Sequence, residues 1–183
     1  MFDSTTRVDG TTGGDWQVSV TDMQATDPAT WFDPRTGLPG PSFWDAVLFA
    51  ESSRCARFDR PATVLLVAIA GADDVVAQWG FEVIDRELSD LGAILRAGCR
   101  HSDYVVRLDE MRFGVLLTET DEISAINVVE RLRAKVDREV GPRLRHGRIC
   151  FGWASPKGEQ RLLEVIEPAE ERLRQEAAEA QGG

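Results

Sequence analysis

The chain has 183 residues, with 31 acidic and 21 basic side chains and a formal net charge of −10 at pH 7. This length suits one domain with a substantial core. The negative charge disfavours DNA, RNA and anionic membranes, because phosphate recognition rests on basic patches. No run resembles a membrane span or a signal peptide, and the three cysteines are scattered in apolar patterns. We therefore expect a cytoplasmic protein with reduced thiols and no membrane insertion.

Composition divides the chain into a leader, one domain and a short tail. Residues 1–30 are rich in Thr, Asp, Gly and Ser, which predicts a flexible leader. Residues 33–40 carry Pro and Gly at short intervals, which indicates a structured turn. The domain is expected over residues 31–178, and the Ala, Glu, Gln and Gly residues of 179–183 predict a frayed tail.

The first half of the domain alternates between helical and strand patterns. Apolar residues recur at helical spacing from Pro41 to about Asp59, which predicts a first helix. Residues 62–70 form an unbroken apolar and β-branched run, typical of a strand that is buried on both faces. A second helix is indicated by an apolar stripe at helical spacing: Ile84, Leu88, Leu91, Leu95 and Cys99.

A β-hairpin, a third helix and a last strand follow. Two apolar runs flank a polar tip at residues 109–112, which predicts the hairpin. The third helix is predicted to place Ile123 and Ile126 on the same apolar stripe as Val129. Residues 148–154 have the apolar pattern of the last strand.

The elements of residues 62–154 run in the order strand, helix, strand, strand, helix, strand. This is the ferredoxin-like order, with helices on one face of an antiparallel sheet. A closing amphipathic helix follows, and its regular part is expected to begin near Glu167 or Pro168. The predicted fold class is α+β, an α/β sandwich in which a βαββαβ core carries an added N-terminal and an added C-terminal helix.

Two segments resemble a known family. Residues 33–39 read Asp-Pro-Arg-Thr-Gly-Leu-Pro, and residues 107–113 read Arg-Leu-Asp-Glu-Met-Arg-Phe. The first is similar to the Asp-x-Leu-Thr-Gly-Leu-Pro segment of the GGDEF domain in bacterial diguanylate cyclases. The second is similar to its Arg-x-Gly-Gly-Asp-Glu-Phe hairpin. The resemblance implies the nucleotide-cyclase type of this fold and a role in cyclic di-GMP signalling.

The signature is degenerate in this chain. A family cyclase condenses two GTP molecules with Mg²⁺, which carboxylates of the first strand and the hairpin hold. Those two metal positions are Ala68 and Met111 here. The resemblance therefore implies no Mg²⁺, no cofactor and no catalytic residue, and it predicts that the chain is not an enzyme. The complete set of residues at the signature positions is Asp109, Glu110, Met111, Arg112 and Phe113.

The nucleotide-binding positions of the family are altered as well. Over residues 76–85, only Gly80 and Asp85 match the family's base-holding segment, and Val76 replaces its Asn. The family's C-terminal phosphate clamp falls on residues 176–177 and beyond, where the chain has no Lys or Arg. The resemblance thus implies that most of the GTP recognition is lost.

An Arg-x-x-Asp motif is retained at Arg100 and Asp103. It resembles the family's inhibitory site, which implies that these two side chains bind cyclic di-GMP. An arginine can grip a phosphate or a guanine edge with two N–H groups, and a carboxylate can accept from guanine. From the residues alone, Arg100 equally suits the neutralisation of a helix C-terminus, with Asp103 as its partner. Arg107 is interpreted as a structural partner of the hairpin or of a nearby carboxylate.

Three functions follow from these observations. The first is an inactive GGDEF-like regulatory module that binds cyclic di-GMP and acts on a protein partner, as a monomer or a homodimer. The second is a nucleotide-independent protein-interaction domain, and the third is a GTP sensor that uses Asp85. For the second function, an exposed apolar patch would form the docking surface. Its members, which equally suit positions in the core, would be Val76, Trp79, Phe81 and Met111.

Overall fold

The structure is a computed structural model that describes residues 31–144 and 147–181. The predicted leader over residues 1–30 lies outside the described residues, and so do the last two residues of the predicted tail. Within the described ranges, no helix combines the length and the apolar character that crossing a bilayer requires.

Four strands form one antiparallel sheet in the order β2-β3-β1-β4. Strand β1 pairs with β3 on one side and with β4 on the other, and seven of its nine residues are buried. The apolar run of residues 62–70 is thus the central strand that its pattern predicts. The strands are β1 (Ala62–Ala70), β2 (Tyr104–Arg107), β3 (Arg112–Thr118) and β4 (Arg148–Ala154).

Helices cover both faces of this sheet. Helices α1 and α5 pack on one face, and α3 and α4 pack on the other, which gives two apolar clusters separated by the strands. The predicted α+β sandwich with a βαββαβ core and an added helix at each end is confirmed. The α-helices of the described residues are α1 (Pro41–Phe58), α2 (Ala72–Trp79), α3 (Glu82–Gly98), α4 (Glu122–Glu139) and α5 (Ile166–Gln181).

Helix α2 is an element that the sequence analysis did not predict. It has only eight residues, and it lies between β1 and α3, where one helix was expected. Gly71 precedes it and Gly80 follows it, both with positive φ angles, of 77° and 83°. Backbone of this kind favours glycine, so the two glycines were the signal for a separate short helix.

Helix α4 differs from the prediction in register, and helix α5 differs from it in length. Ile123 and Ile126 are 76% and 41% exposed, although they were predicted to face the core. The buried stripe of α4 instead begins at Ala125, and Ile123 lies about 200° around the helix from it. Helix α5 begins at Ile166, close to the predicted start, and continues to Gln181, into the predicted tail.

The outer edge of β4 is spanned by side chains that join α4 to α5. Arg133 of α4 donates to both carboxylate oxygens of Glu176 in α5, at 2.5 and 2.9 Å. Arg172 of α5 donates to the backbone carbonyl of Trp153 in β4 at 2.7 Å and to Glu122 of α4 at 3.3 Å. These two links, named the edge bridge below, satisfy an outward carbonyl of the edge strand and tie together helices from opposite faces of the sheet.

Candidate functional site

The tip of the β2–β3 hairpin is held together by the side chain of Asp109. One carboxylate oxygen accepts hydrogen bonds from the backbone N–H groups of Met111 and Arg112, both at 2.9 Å. The other accepts from Nε of Arg112 at 2.5 Å. The negative charge of Asp109 is therefore neutralised within its own turn, while Glu110 remains exposed.

Arg107 fixes this tip to the turn of residues 33–40. Its buried guanidinium donates to the backbone carbonyls of Asp109 and Glu110, at 2.9 and 2.6 Å, and to Oδ2 of Asp33 at 3.3 Å. Burial alone raises the pKa of Asp33, but hydrogen bonds from Thr36 and the charge of Arg107 outweigh it and hold the pKa below its ordinary value. Arg107 thus has both structural partners that the sequence suggested.

A groove of about 540 Å³ lies between the end of β1, the hairpin tip and helix α5. Ala68 and Met111 both line this groove. They lie close together because the backbone N–H of Ile69 donates to the carbonyl of Met111 at 3.2 Å. Phe113, in contrast, is buried in the core and takes no part in the groove. Four of the five signature residues, Asp109 to Arg112, line the groove.

The side chains at the family's two metal positions in the groove do not fit a magnesium ion. Mg²⁺ prefers carboxylate oxygens, and Ala68 and Met111 offer none. Arg112 lies between two carboxylates of the groove, 2.5 Å from Asp109 and 4.0 Å from Glu170 of α5. Across the described ranges, no three His, Cys, Asp or Glu side chains group as metal ligands would. That the chain binds no Mg²⁺ stays a prediction.

The segment that resembles a base-holding region packs against the protein itself. Val76, Phe81 and Met111 are partly buried against the core cluster, which favours the interpretation of these residues as core. The guanidinium of Arg35 lies 4.1 Å above the ring of Phe81, and its Nε is 3.2 Å from a carboxylate oxygen of Asp85. The side chain of Trp79, the fourth residue of that predicted patch, is outside the description.

The Arg-x-x-Asp motif forms the loop between α3 and β2. Asp103 is buried, and its carboxylate accepts from the backbone N–H groups of Arg100 at 2.7 Å and of Thr118 at 3.1 Å. Arg100 is exposed. Among residues 31–144 and 147–181, no hydrogen bond or ion pair engages its guanidinium. The structure therefore presents Arg100 outward and uses Asp103 to hold the loop.

Two arginines that the sequence analysis did not single out lie at the same end of α3. Arg96 donates to the backbone carbonyls of Arg100 and Asp103, at 2.6 and 2.8 Å. Arg131 of α4 donates to the carbonyl of Gly98 at 2.8 Å. We call Arg96, Arg100, Asp103 and Arg131 the α3 rim. No sequence pattern joins Arg131 to the motif, because the contact arises only when α4 packs beside α3.

A family model described as "Diguanylate cyclase, GGDEF domain" matches residues 30–182. The chain belongs to the GGDEF domain family. Among curated proteins it is similar to DgcC of Escherichia coli K12, named a probable diguanylate cyclase, with 30% identity over 55% of this chain. It is also similar to the diguanylate cyclase DosC of the same strain, with 26% identity over 58% of the chain. The matches span 27% and 23% of these relatives, about a quarter of their length.

Solved GGDEF structures share the fold. The GGDEF domain of FimX from Pseudomonas aeruginosa has a TM-score of 0.72 and 21% identity, over 81% of this chain and 94% of that one. SiaD from the same organism, in complex with its activator SiaC, has a TM-score of 0.72 and 22% identity over 83% and 59%. The GGDEF domain of DgcB from Caulobacter crescentus, in complex with cyclic di-GMP, has a TM-score of 0.72 and 16% identity over 86% and 94%.

These comparisons correct one prediction. The prediction that the chain is not an enzyme is contradicted, because the curated relatives DgcC and DosC are named as diguanylate cyclases, which are enzymes. It rested on the altered metal and nucleotide-binding positions, Ala68 and Met111 among them. The replacement of such positions does not outweigh similarity to named cyclases that extends over more than half of the chain.

Proposed function

We propose that this GGDEF domain is a receptor for cyclic di-GMP and binds the dinucleotide at the α3 rim. The observation that carries the proposal is the exposed guanidinium of Arg100 on a loop that is already fixed at the end of α3. A second guanidinium, that of Arg131, reaches the same helix end. The complex of the DgcB GGDEF domain with cyclic di-GMP supports this choice of ligand through the shared fold.

The chemistry of the α3 rim suits a compact dianion with guanine bases. A guanidinium can donate two parallel hydrogen bonds to a phosphate or to the acceptor edge of guanine. Three arginines and one aspartate give the α3 rim a local positive charge on a chain whose net charge is −10. We assign Arg100 and Arg131 to ligand contact. Asp103 holds the loop, because both of its carboxylate oxygens already accept backbone N–H groups.

The regulatory part of the proposal is a protein partner that senses the bound ligand. The complex of SiaD with its activator SiaC shows that a protein of this fold can be bound by a partner. The candidate partner surface at Val76, Phe81 and Met111 is weakened here, since these residues pack against the core. Because the structure favours the ligand site over this partner surface, the first experiment measures ligand binding.

The experiment is a calorimetric titration of cyclic di-GMP into the wild-type protein, Arg100→Ala and Arg131→Ala. Arg86→Ala is the matched control, because Arg86 is an exposed arginine of α3 outside the α3 rim, with an 80% exposed side chain, and it pairs only weakly with Asp90 at 3.9 Å. We expect micromolar affinity for the wild type and the control, loss of binding for Arg100→Ala, and weaker binding for Arg131→Ala.

Two results would overturn the proposal. Absence of heat with the wild type would leave the protein-interaction function, and unchanged affinity in Arg100→Ala would place the ligand elsewhere. A parallel titration with GTP separates the third function, because a GTP sensor would give heat with GTP and none with cyclic di-GMP.

A further inference from the structure

Arg96 occupies a distinctive place in the α3 rim. It lies in the last turn of α3, and its two terminal nitrogens donate to the backbone carbonyls of Arg100 and Asp103, at 2.6 and 2.8 Å. These two carbonyls belong to the first and last residues of the four-residue motif, residues 100–103. A single planar guanidinium therefore spans the loop from which Arg100 projects.

We infer that Arg96 is a positioning residue that holds this loop in its ligand-binding conformation before the ligand arrives. The inference rests on the proposed binding of cyclic di-GMP at the α3 rim. Asp103 braces the loop from the other side, where its carboxylate accepts the N–H of Arg100 at 2.7 Å and its own N–H donates to the carbonyl of Arg100 at 3.2 Å. The loop is thus fixed by one side chain at each of its flanks.

Preorganisation of this kind acts on affinity through entropy. A loop that must be ordered on binding loses conformational freedom at that moment, and this loss is subtracted from the gain of the contacts. Arg96 removes that loss because it orders the backbone in the free protein. Two of its donors are already used by the carbonyls, so its contribution does not require contact with the ligand.

The competing explanation is that Arg96 acts only through its positive charge. The variant Arg96→Lys distinguishes this explanation from positioning. Arg96→Lys keeps the positive charge but presents a single ammonium point charge, which cannot reproduce a planar fork spanning two carbonyls. Attraction between Arg96 and an anionic ligand would be retained in Arg96→Lys and would weaken with added salt. Positioning by the fork would be lost in Arg96→Lys at every salt concentration.

The test is calorimetry with cyclic di-GMP on the wild type, Arg96→Ala, Arg96→Lys and the control Arg86→Ala, at low and high salt. Amide hydrogen exchange of residues 100–103 and urea unfolding of each free protein accompany it. We expect both Arg96 variants to bind about tenfold more weakly, through a less favourable entropy, with faster exchange confined to the loop. The free energy of unfolding should fall too little to populate unfolded protein, and Arg86→Ala should bind as the wild type does.

The outcomes separate this inference from the proposed function. A wild type that does not bind overturns the proposed function and the inference with it. A wild type that binds while Arg96→Ala binds equally well overturns the inference alone. If Arg96→Lys bound cyclic di-GMP with the wild-type affinity, Arg96 would act through its charge, and this result would also overturn the inference.

Discussion

Replacement of Arg107 by methionine tests how the hairpin is built. The variant keeps a long side chain at a position that is 5% exposed, but it removes the three donors to Asp109, Glu110 and Asp33. Hydrogen bonds that involve a charged group contribute about 1.5–3 kcal/mol each. Water can reach the carbonyls of the exposed tip, and the 3.3 Å bond to Asp33 is long, so we expect a total loss of about 3 kcal/mol.

The assay is equilibrium urea unfolding followed by tryptophan fluorescence, with Arg112→Met as the matched control. Arg112 is also an arginine of the hairpin, but its side chain is 47% exposed and its partners are exposed carboxylates. Pairs of that kind contribute about 0–1 kcal/mol. A loss below about 1 kcal/mol for Arg107→Met, or a loss no larger than that of the control, would refute the reasoning.

Three further predictions concern packing, acid stability and thiol reactivity. Gly152→Ala should lower the free energy of unfolding by about 1–3 kcal/mol, because its Cβ would lie 2.5 Å from a backbone nitrogen of α5, whereas Gly141→Ala, with 3.9 Å to its nearest neighbour, should not. Burial raises the pKa of Asp33, but its hydrogen bonds and the neighbouring cation hold it below 3.8. Its stabilising effect is therefore complete above the unfolded value and is lost as the pH falls through the folded one, so Asp33→Asn should flatten the acid limb of stability against pH. Burial raises the pKa of Cys99 to about 12 and that of Cys150 to about 11, so mass spectrometry should find both alkylated by iodoacetamide at mildly alkaline pH only after unfolding.

The sequence predicts the strands and helices well where local periodicity and burial agree. Residues 62–70 lie between two other strands and seven of the nine are buried, so the unbroken apolar run has one interpretation. At the start of α4, the pattern offered Ile123 as a core residue, but the helix turns Ala125 toward the sheet. Periodicity gives the existence of an apolar stripe more reliably than the residue at which the stripe begins.

The candidate site was predictable only in part, for a different reason. Arg100 and Asp103 are close in sequence, so a short motif identified them, although it did not show that the carboxylate of Asp103 is turned inward. Arg131 approaches through the packing of α4 beside α3, and Arg112 meets Glu170 only because α5 crosses beside the hairpin tip. Contacts between residues so far apart in the chain leave no local signature.

The edge bridge has a consequence for any shortened version of this chain. Removal of α5 would take away Arg172, which donates to the carbonyl of Trp153 in β4. It would also take away the α5 partner of Arg133, so that α4 would no longer be tied across the edge. An uncovered edge strand can add a strand from another molecule, and natural proteins avoid such edges because they lead to self-association. The last helix therefore shields the outer edge of β4, and a fragment that ends after β4 should aggregate through that strand even where its own core remains folded.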